Sequence, residues 1–166
     1  MTPEFAVQFA ALIAENYKQE IATTKRVLAA VPEDKDKWAY RPDPRSMSAI
    51  ELVWHMAGSD VWFLNAIAAA SFSYEPAQEP VRPASIAGIV AWYDRETSSG
   101  LAKLSAVKPE QWALPVKFGG SEKALALHMT FAVRHSVHHR GQLSSYLRPM
   151  GSKVPSIYGS SADERK

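Results

Sequence analysis

Apolar residues recur along this chain at the three-and-four spacing of helices, and no alternating pattern of comparable length competes with them. The first stripe opens behind Thr2 and Pro3, an N-cap residue followed by proline at the first helical position. Phe5, Phe9, Leu12, Ile13, Tyr17, Ile21 and Leu28 share its apolar face, and Val31-Pro32 ends it. The stretch through Lys37-Trp38 to Pro42-Asp43-Pro44-Arg45 is charged and punctuated by prolines, so it reads as a loop. Ser46 or Ser48 starts a second helix running to about Ala70, and Ser48-Ala49-Ile50-Glu51 has the form of a capping box. Ser71 to Pro83, rich in Pro, Glu and Ser, is long for a bundle turn and of a length that suits a crossover. A third helix begins near Ser85 and carries Ile86, Ile89, Val90, Tyr93, Leu101 and Leu104, although its middle, Thr97-Ser98-Ser99-Gly100, holds weak helix formers. Leu114 to Phe118 reads as briefly extended; Gly119-Gly120 then breaks the chain, and Ser121 is expected to cap a fourth helix reaching about Arg148. Four long helices predict an all-α four-helix bundle, one domain over residues 1–166 with 149–166 as a polar C-terminal tail.

Composition narrows the function. A net charge of +2 from 19 basic and 17 acidic residues gives no basic face for neutralising phosphates, so no nucleic-acid partner is expected. The chain has no cysteine, which removes disulfides, zinc–thiolate sites and cysteine nucleophiles and leaves only nitrogen and oxygen ligands for any metal. No apolar run is long enough for a membrane span, and Met1-Thr2-Pro3-Glu4 carries no basic leader, so a cytoplasmic location without membrane contact is the expectation.

Four of the five histidines fall between positions 128 and 139. His135 and His139 are one helical turn apart, a spacing that lets two imidazoles reach one ion. The residues between them, Ser136, Val137 and His138, lack the glutamate that serves as general base in zinc proteases of the HExxH type. The helical wheel groups Ala124, Phe131, Ala132, Gln142, Leu143 and Tyr146 with His135, a face expected to point inward. It sets Arg134, Arg140 and Arg148 on the sides or back, and Arg140 reads as structural or interfacial. A third ligand is offered by His55, which shares an inward-looking face with Glu51, Leu52, Ser59, Trp62 and Phe63, while Trp54 and Asp60 are expected to point elsewhere. Alone, His55 would be read as a core histidine bonded to a carbonyl. Facing two others at mid-helix, it completes a three-histidine site for one divalent metal ion. Around it, Glu51 is either a neighbour of the site or simply the capping-box partner of Ser48. Gln142 lies one turn beyond His139, where it can bond a ligand or an imidazole. His128, Trp62 and Tyr146 are candidates for the pocket wall.

His135-Ser136-Val137-His138-His139-Arg140-Gly141-Gln142-Leu143, with Tyr146-Leu147-Arg148, Gly151 and the tail Val154-Pro155-Ser156-Ile157-Tyr158-Gly159, resembles the last helix and tail of DinB/YfiT-like proteins. Ser46 to His55 resembles that family's second helix. The resemblance implies a four-helix bundle with a long crossover between helices 2 and 3. It implies an open site of three histidines and water, matched here by His55, His135 and His139, and a homodimeric assembly. Zinc and nickel are the leading ions. Many relatives carry Asn before the first histidine of the last helix; Arg134 stands there, off the inward face, where it would alter a surface or dimer contact rather than the metal.

Three neutral imidazoles leave an ion its full charge and an open position, as catalytic sites do. Characterised members of the family it resembles include enzymes that transfer low-molecular-weight thiols, so in a cysteine-free chain the resemblance implies metal-dependent transfer of such a thiol onto an electrophilic small molecule. A metal-dependent hydrolase, or a non-enzymatic ligand-binding or stress-response protein, are the alternatives.

Overall fold

The protein's structure, a computed structural model, describes residues 1–73 and 80–164. Four helices make the bundle: α1 Pro3–Ala29, α2 Ala49–Ala68, α3 Ile86–Leu104 and α4 Leu125–Leu147. Each of the first three starts on the cap its sequence offers. Thr2 Oγ1 accepts from Phe5 N. Ser48, not Ser46, caps α2: its Oγ accepts from Glu51 N while the Glu51 carboxylate accepts from Ser48 N at 2.7 Å. Ser85 caps α3, and the Glu33 carboxylate adds two bonds from Ile86 N and Ala87 N at 3.0 and 2.7 Å, placing negative charge at the helix's positive end. Of the crossover expected over Ser71–Pro83, residues 74–79 lie outside the described residues.

The fourth helix begins later than its sequence implies. Ser121 is not its cap but the first residue of a strand. Pro115–Phe118 (β1) and Ser121–Ala124 (β2) pair antiparallel with Phe118 opposite Ser121. Gly119 and Gly120 turn between them at φ 56° and 76°, the left-handed conformations a two-residue type I′ hairpin requires. Four-residue strands are too short to register an alternating pattern.

α1 packs against α3 and α4, and α2 packs against the same two, so α2 and α4 are neighbours along one seam. The weak middle of α3 has a packing purpose. A Cβ on Gly100 would meet Leu64 Cβ at 2.7 Å, so only glycine lets α3 approach α2 this closely. The core runs through Tyr17, Leu28, Leu52, Leu64, Tyr93 and Leu143, all fully buried or nearly so. Two stripe residues of α1 stand outside it: Phe5 is 55% and Leu12 68% exposed, and Ala6 and Ala10 take the core side there. The apolar arc of this helix is wider than the surface it packs on. The inward direction set by Tyr17, Ile21 and Leu28 lies about 100° or more around the axis from Phe5 and Leu12.

The bundle centre is polar. Asp60 of α2 is fully buried and accepts hydrogen bonds from Tyr17 Oη of α1 (3.0 Å), Tyr93 Oη of α3 (2.7 Å) and Ser136 Oγ of α4 (3.0 Å). One carboxylate thus ties all four helices. One turn further along α4, Arg140 is 1% exposed; it pairs with Glu20 at 2.6 Å and bonds the Glu20 carbonyl. The Arg140 guanidinium also donates to Tyr158 Oη, and Tyr158 Oη donates to Glu20 at 2.9 Å, which pins the C-terminal tail to the bundle. Arg140 is structural, but it sits in the middle of the buried face rather than on the side or back of the helix.

Candidate metal centre

The core directions of α2 and α4 are set by Met56 and Asp60 on one helix and by Ser136 and Arg140 on the other, all buried. His55 lies about 100–140° from the first pair around its axis, and His135 lies as far from the second. The histidines therefore face the seam between α2 and α4 at the edge of the core, where the bundle opens, rather than its centre. All three are half-buried.

His55, His135 and His139 converge there. One ring nitrogen from each lies within 4.8 Å of the others, and the Nε2 atoms of His55 and His139 are 3.1 Å apart. Ring centroids are separated by 4.4 to 5.1 Å. Gln142 orients one of them: its Oε1 is 2.7 Å from His139 Nδ1, so Nδ1 carries the proton and donates, and Nε2 presents a lone pair to the cluster. Burial lowers the pKa of His55 and of His139, with neighbouring imidazoles adding to the effect. His135 is pushed down to about 4, by burial first and then by the charges of His139, His55 and His138. All three are neutral near pH 7, the form that binds metals.

These residues fit a divalent ion. Among the described residues, His135 Nδ1 is the buried side-chain polar atom with no hydrogen-bond partner, an atom of the cluster that an ion or its bound water would satisfy. With metal–nitrogen bonds of about 2.05 Å, two ligand nitrogens lie roughly 2.9 Å apart at a right angle and roughly 3.3 Å apart at the tetrahedral angle. The 3.1 Å between His55 and His139 falls between the two.

Two of the three histidines open onto a cavity of about 940 Å³. His55 and His135 line it, together with Trp54, Gly58, Ser59, Trp62, Phe63 and Trp92, and its far end reaches Asn65 and Lys103. Trp54 and Trp92 pack against each other with centroids 4.8 Å apart and planes inclined at 47°. Trp54 is thus part of the cavity, not turned away from it as the wheel implies. Phe131 is 47% exposed, yet its ring meets Phe63, Phe118 and His135. Phe118, at the tip of the hairpin, closes this aromatic wall.

Trp62 lines the cavity. Glu51 is spent on the capping box and on Arg41, 3.4 Å away. His128 is buried and turned to the Val116 carbonyl at 2.8 Å, where it holds the hairpin onto α4 and does not line the cavity. Tyr146 packs edge-on against Tyr40 and donates to the Met47 carbonyl. His138 is exposed and Arg134 projects from the surface. Asp60, expected to point away from the inward face, instead lies at the bundle centre, and Trp92 and Gly58 carry no sequence signal of the site. Asp60 and Trp92 are defined by partners on other helices, and a single glycine carries no chemistry of its own.

Among the described residues no helix is long and apolar enough to cross a membrane. The model of the DinB family matches residues 7–166. YjoA, an uncharacterized protein of Bacillus subtilis (strain 168), is 30% identical over 118 residues, covering 70% of this chain and 76% of that one. The crystal structure of YjoA, a DinB-like protein, aligns with a TM-score of 0.73 at 25% identity over 90% of this chain and 99% of that chain. A DinB-like protein from Bacillus cereus ATCC 10987 aligns with a TM-score of 0.72 over 88% of this chain and 95% of that chain; at 19% identity the likeness is one of fold.

Proposed function

The chain belongs to the DinB family, and from that premise we propose that it binds one divalent metal ion, zinc or nickel, through His55, His135 and His139 and transfers a low-molecular-weight thiol to an electrophilic small molecule. The observation that carries this reading is the convergence of three neutral imidazoles, two of which line an open cavity. A bound ion would supply positive charge that lowers a thiol's pKa and favours the nucleophilic thiolate. The rest belongs to the chain. Gln142 fixes the His139 tautomer so that Nε2 faces the site. The indoles of Trp54, Trp62 and Trp92 give the cavity apolar walls and leave room for a reactant beside the histidines. The absence of cysteine means that the sulfur arrives as a cosubstrate. In the transfer, the sulfur lone pair forms the new S–C bond, the bond from that carbon to the electrophile's leaving group breaks and its electron pair departs with the leaving group, and the thiol proton passes to solvent. A homodimer is part of the proposal, with Phe5 and Leu12 as exposed apolar side chains it would bury.

The test incubates metal-loaded protein with monochlorobimane and, in turn, bacillithiol, mycothiol, glutathione and cysteine. At least one thiol is conjugated faster than in the uncatalysed control, and His139→Ala abolishes the acceleration. Hydrolysis of a substrate by water alone, with no thiol reacting, would replace transfer with hydrolysis. A small molecule retained at the histidines without turnover of either kind would make this a ligand-binding protein.

A further inference from the structure

Gly58 lies at the middle of α2, where glycine is disfavoured relative to alanine. The ordinary reasons for tolerating it are missing. Its φ is not positive, it is far from the helix end, and a Cβ built on it meets nothing within 4 Å. Gly100 makes the contrast, because there a Cβ would collide with Leu64. What Gly58 does is line the cavity. On the helical wheel it falls about 60° from His55 and about 40° from Trp62, within the arc that faces the open space. The Trp54–Trp92 pair borders the same space, with centroids 4.8 Å apart and planes inclined at 47°. A side chain at position 58 would occupy space between these indoles and His55 without disturbing the core.

We propose that this position is a seat for a planar aromatic or conjugated group of the substrate. That group lies over the bare backbone of Gly58, flanked by Trp54 and Trp92 on one side and Trp62 on the other, with its reactive atom directed toward His55. Indole faces favour a flat π system over a saturated ring of equal size, because stacking adds to the burial of apolar area. The seat names the substrate class of the transfer proposed above and rests on that reading for its role in turnover; its occupancy does not depend on it.

The test measures binding without thiol or turnover. Indole N–H signals are followed by NMR while naphthalen-2-ylmethanol, or its fully saturated decahydro counterpart, is titrated into wild-type, Gly58→Leu and His139→Ala protein. The flat probe shifts the signals of Trp54, Trp62 and Trp92 saturably and leaves those of the buried Trp38 and Trp112 in place. It binds at least about fivefold more tightly than the saturated probe. Gly58→Leu weakens it at least tenfold, and His139→Ala does not. Gly58→Ala raises the melting temperature by roughly 2–4 °C, the gain expected where alanine meets no clash, and this shows that position 58 tolerates a side chain. Equal binding of the two probes, no shift at the three indoles, or undiminished affinity in a folded Gly58→Leu protein would overturn the seat. None of these results bears on the histidines, whose metal content is measured separately.

Discussion

Burying Asp60 gives it a contribution to stability that falls as the pH rises from 4 to 7, opposite in sign to that of His135, whose pKa burial lowers to about 4. The carboxyl is fully buried, and desolvation pushes its pKa from 3.8 to about 6. The hydroxyls of Tyr93, Ser136 and Tyr17, and the charge of Arg140, pull in the opposite direction without cancelling the burial. The groups facing it from the other helices are Tyr17 of α1, Tyr93 of α3, and Ser136 with Arg140 of α4; burial raises both tyrosines well above 10, so neither titrates in this range. Because the folded pKa exceeds the unfolded one, the folded state holds the extra proton between the two values. Its stabilisation is complete below about pH 4 and is lost as the pH climbs through about 6. The whole effect is about 3 kcal/mol, of which about 2 kcal/mol falls between pH 4.5 and 7. Urea unfolding of chelated wild-type and Asp60→Asn protein across that range isolates it, since groups common to both cancel in the difference. The advantage of wild type over the variant shrinks by about 2 kcal/mol toward pH 7. A difference that is flat, or that grows with pH, would refute the reasoning, as would an Asp60 carboxyl found by NMR to titrate near 4 in wild type.

Three further outcomes follow from the contacts. Arg140→Met leaves the Glu20 carboxylate buried without its partner and lowers stability by about 3–5 kcal/mol in urea unfolding, and adding Glu20→Gln restores part of the loss. Glu51→Ala removes half of the capping box and about 1 kcal/mol of stability, with metal content unchanged by elemental analysis; a loss of metal would return Glu51 to the site. His128→Ala frees the hairpin, seen as faster amide exchange over residues 115–124, and likewise leaves the metal in place.

Much of this was legible in the sequence because the signals were local. Ser48 and Glu51 cap α2 with the two bonds their spacing implies, and the i, i+4 spacing of His135 and His139 presents both to one neighbour. The wheel went astray over which direction is inward. It took the histidine faces as the core, whereas Asp60, Ser136 and Arg140 occupy the centre and the histidines line its open edge. Such a centre is invisible to periodicity. A charged residue reads as solvent-facing until its partners are known, and Tyr17 and Ser136 are 43 and 76 residues from Asp60 in the chain. The hairpin was hidden for another reason: Gly119-Gly120 reads equally as a helix boundary and as a two-residue turn, and four-residue strands carry too little alternation to decide.

The central claim is that one ion is held by three named imidazoles. Elemental analysis of protein purified without a nickel column tests it most directly. Wild type is expected to carry close to one divalent ion per chain. His55→Ala, His135→Ala and His139→Ala each lose most of it, and His138→Ala, whose side chain is exposed, keeps it. A folded His135→Ala/His139→Ala protein that retains a full complement of metal would contradict the account.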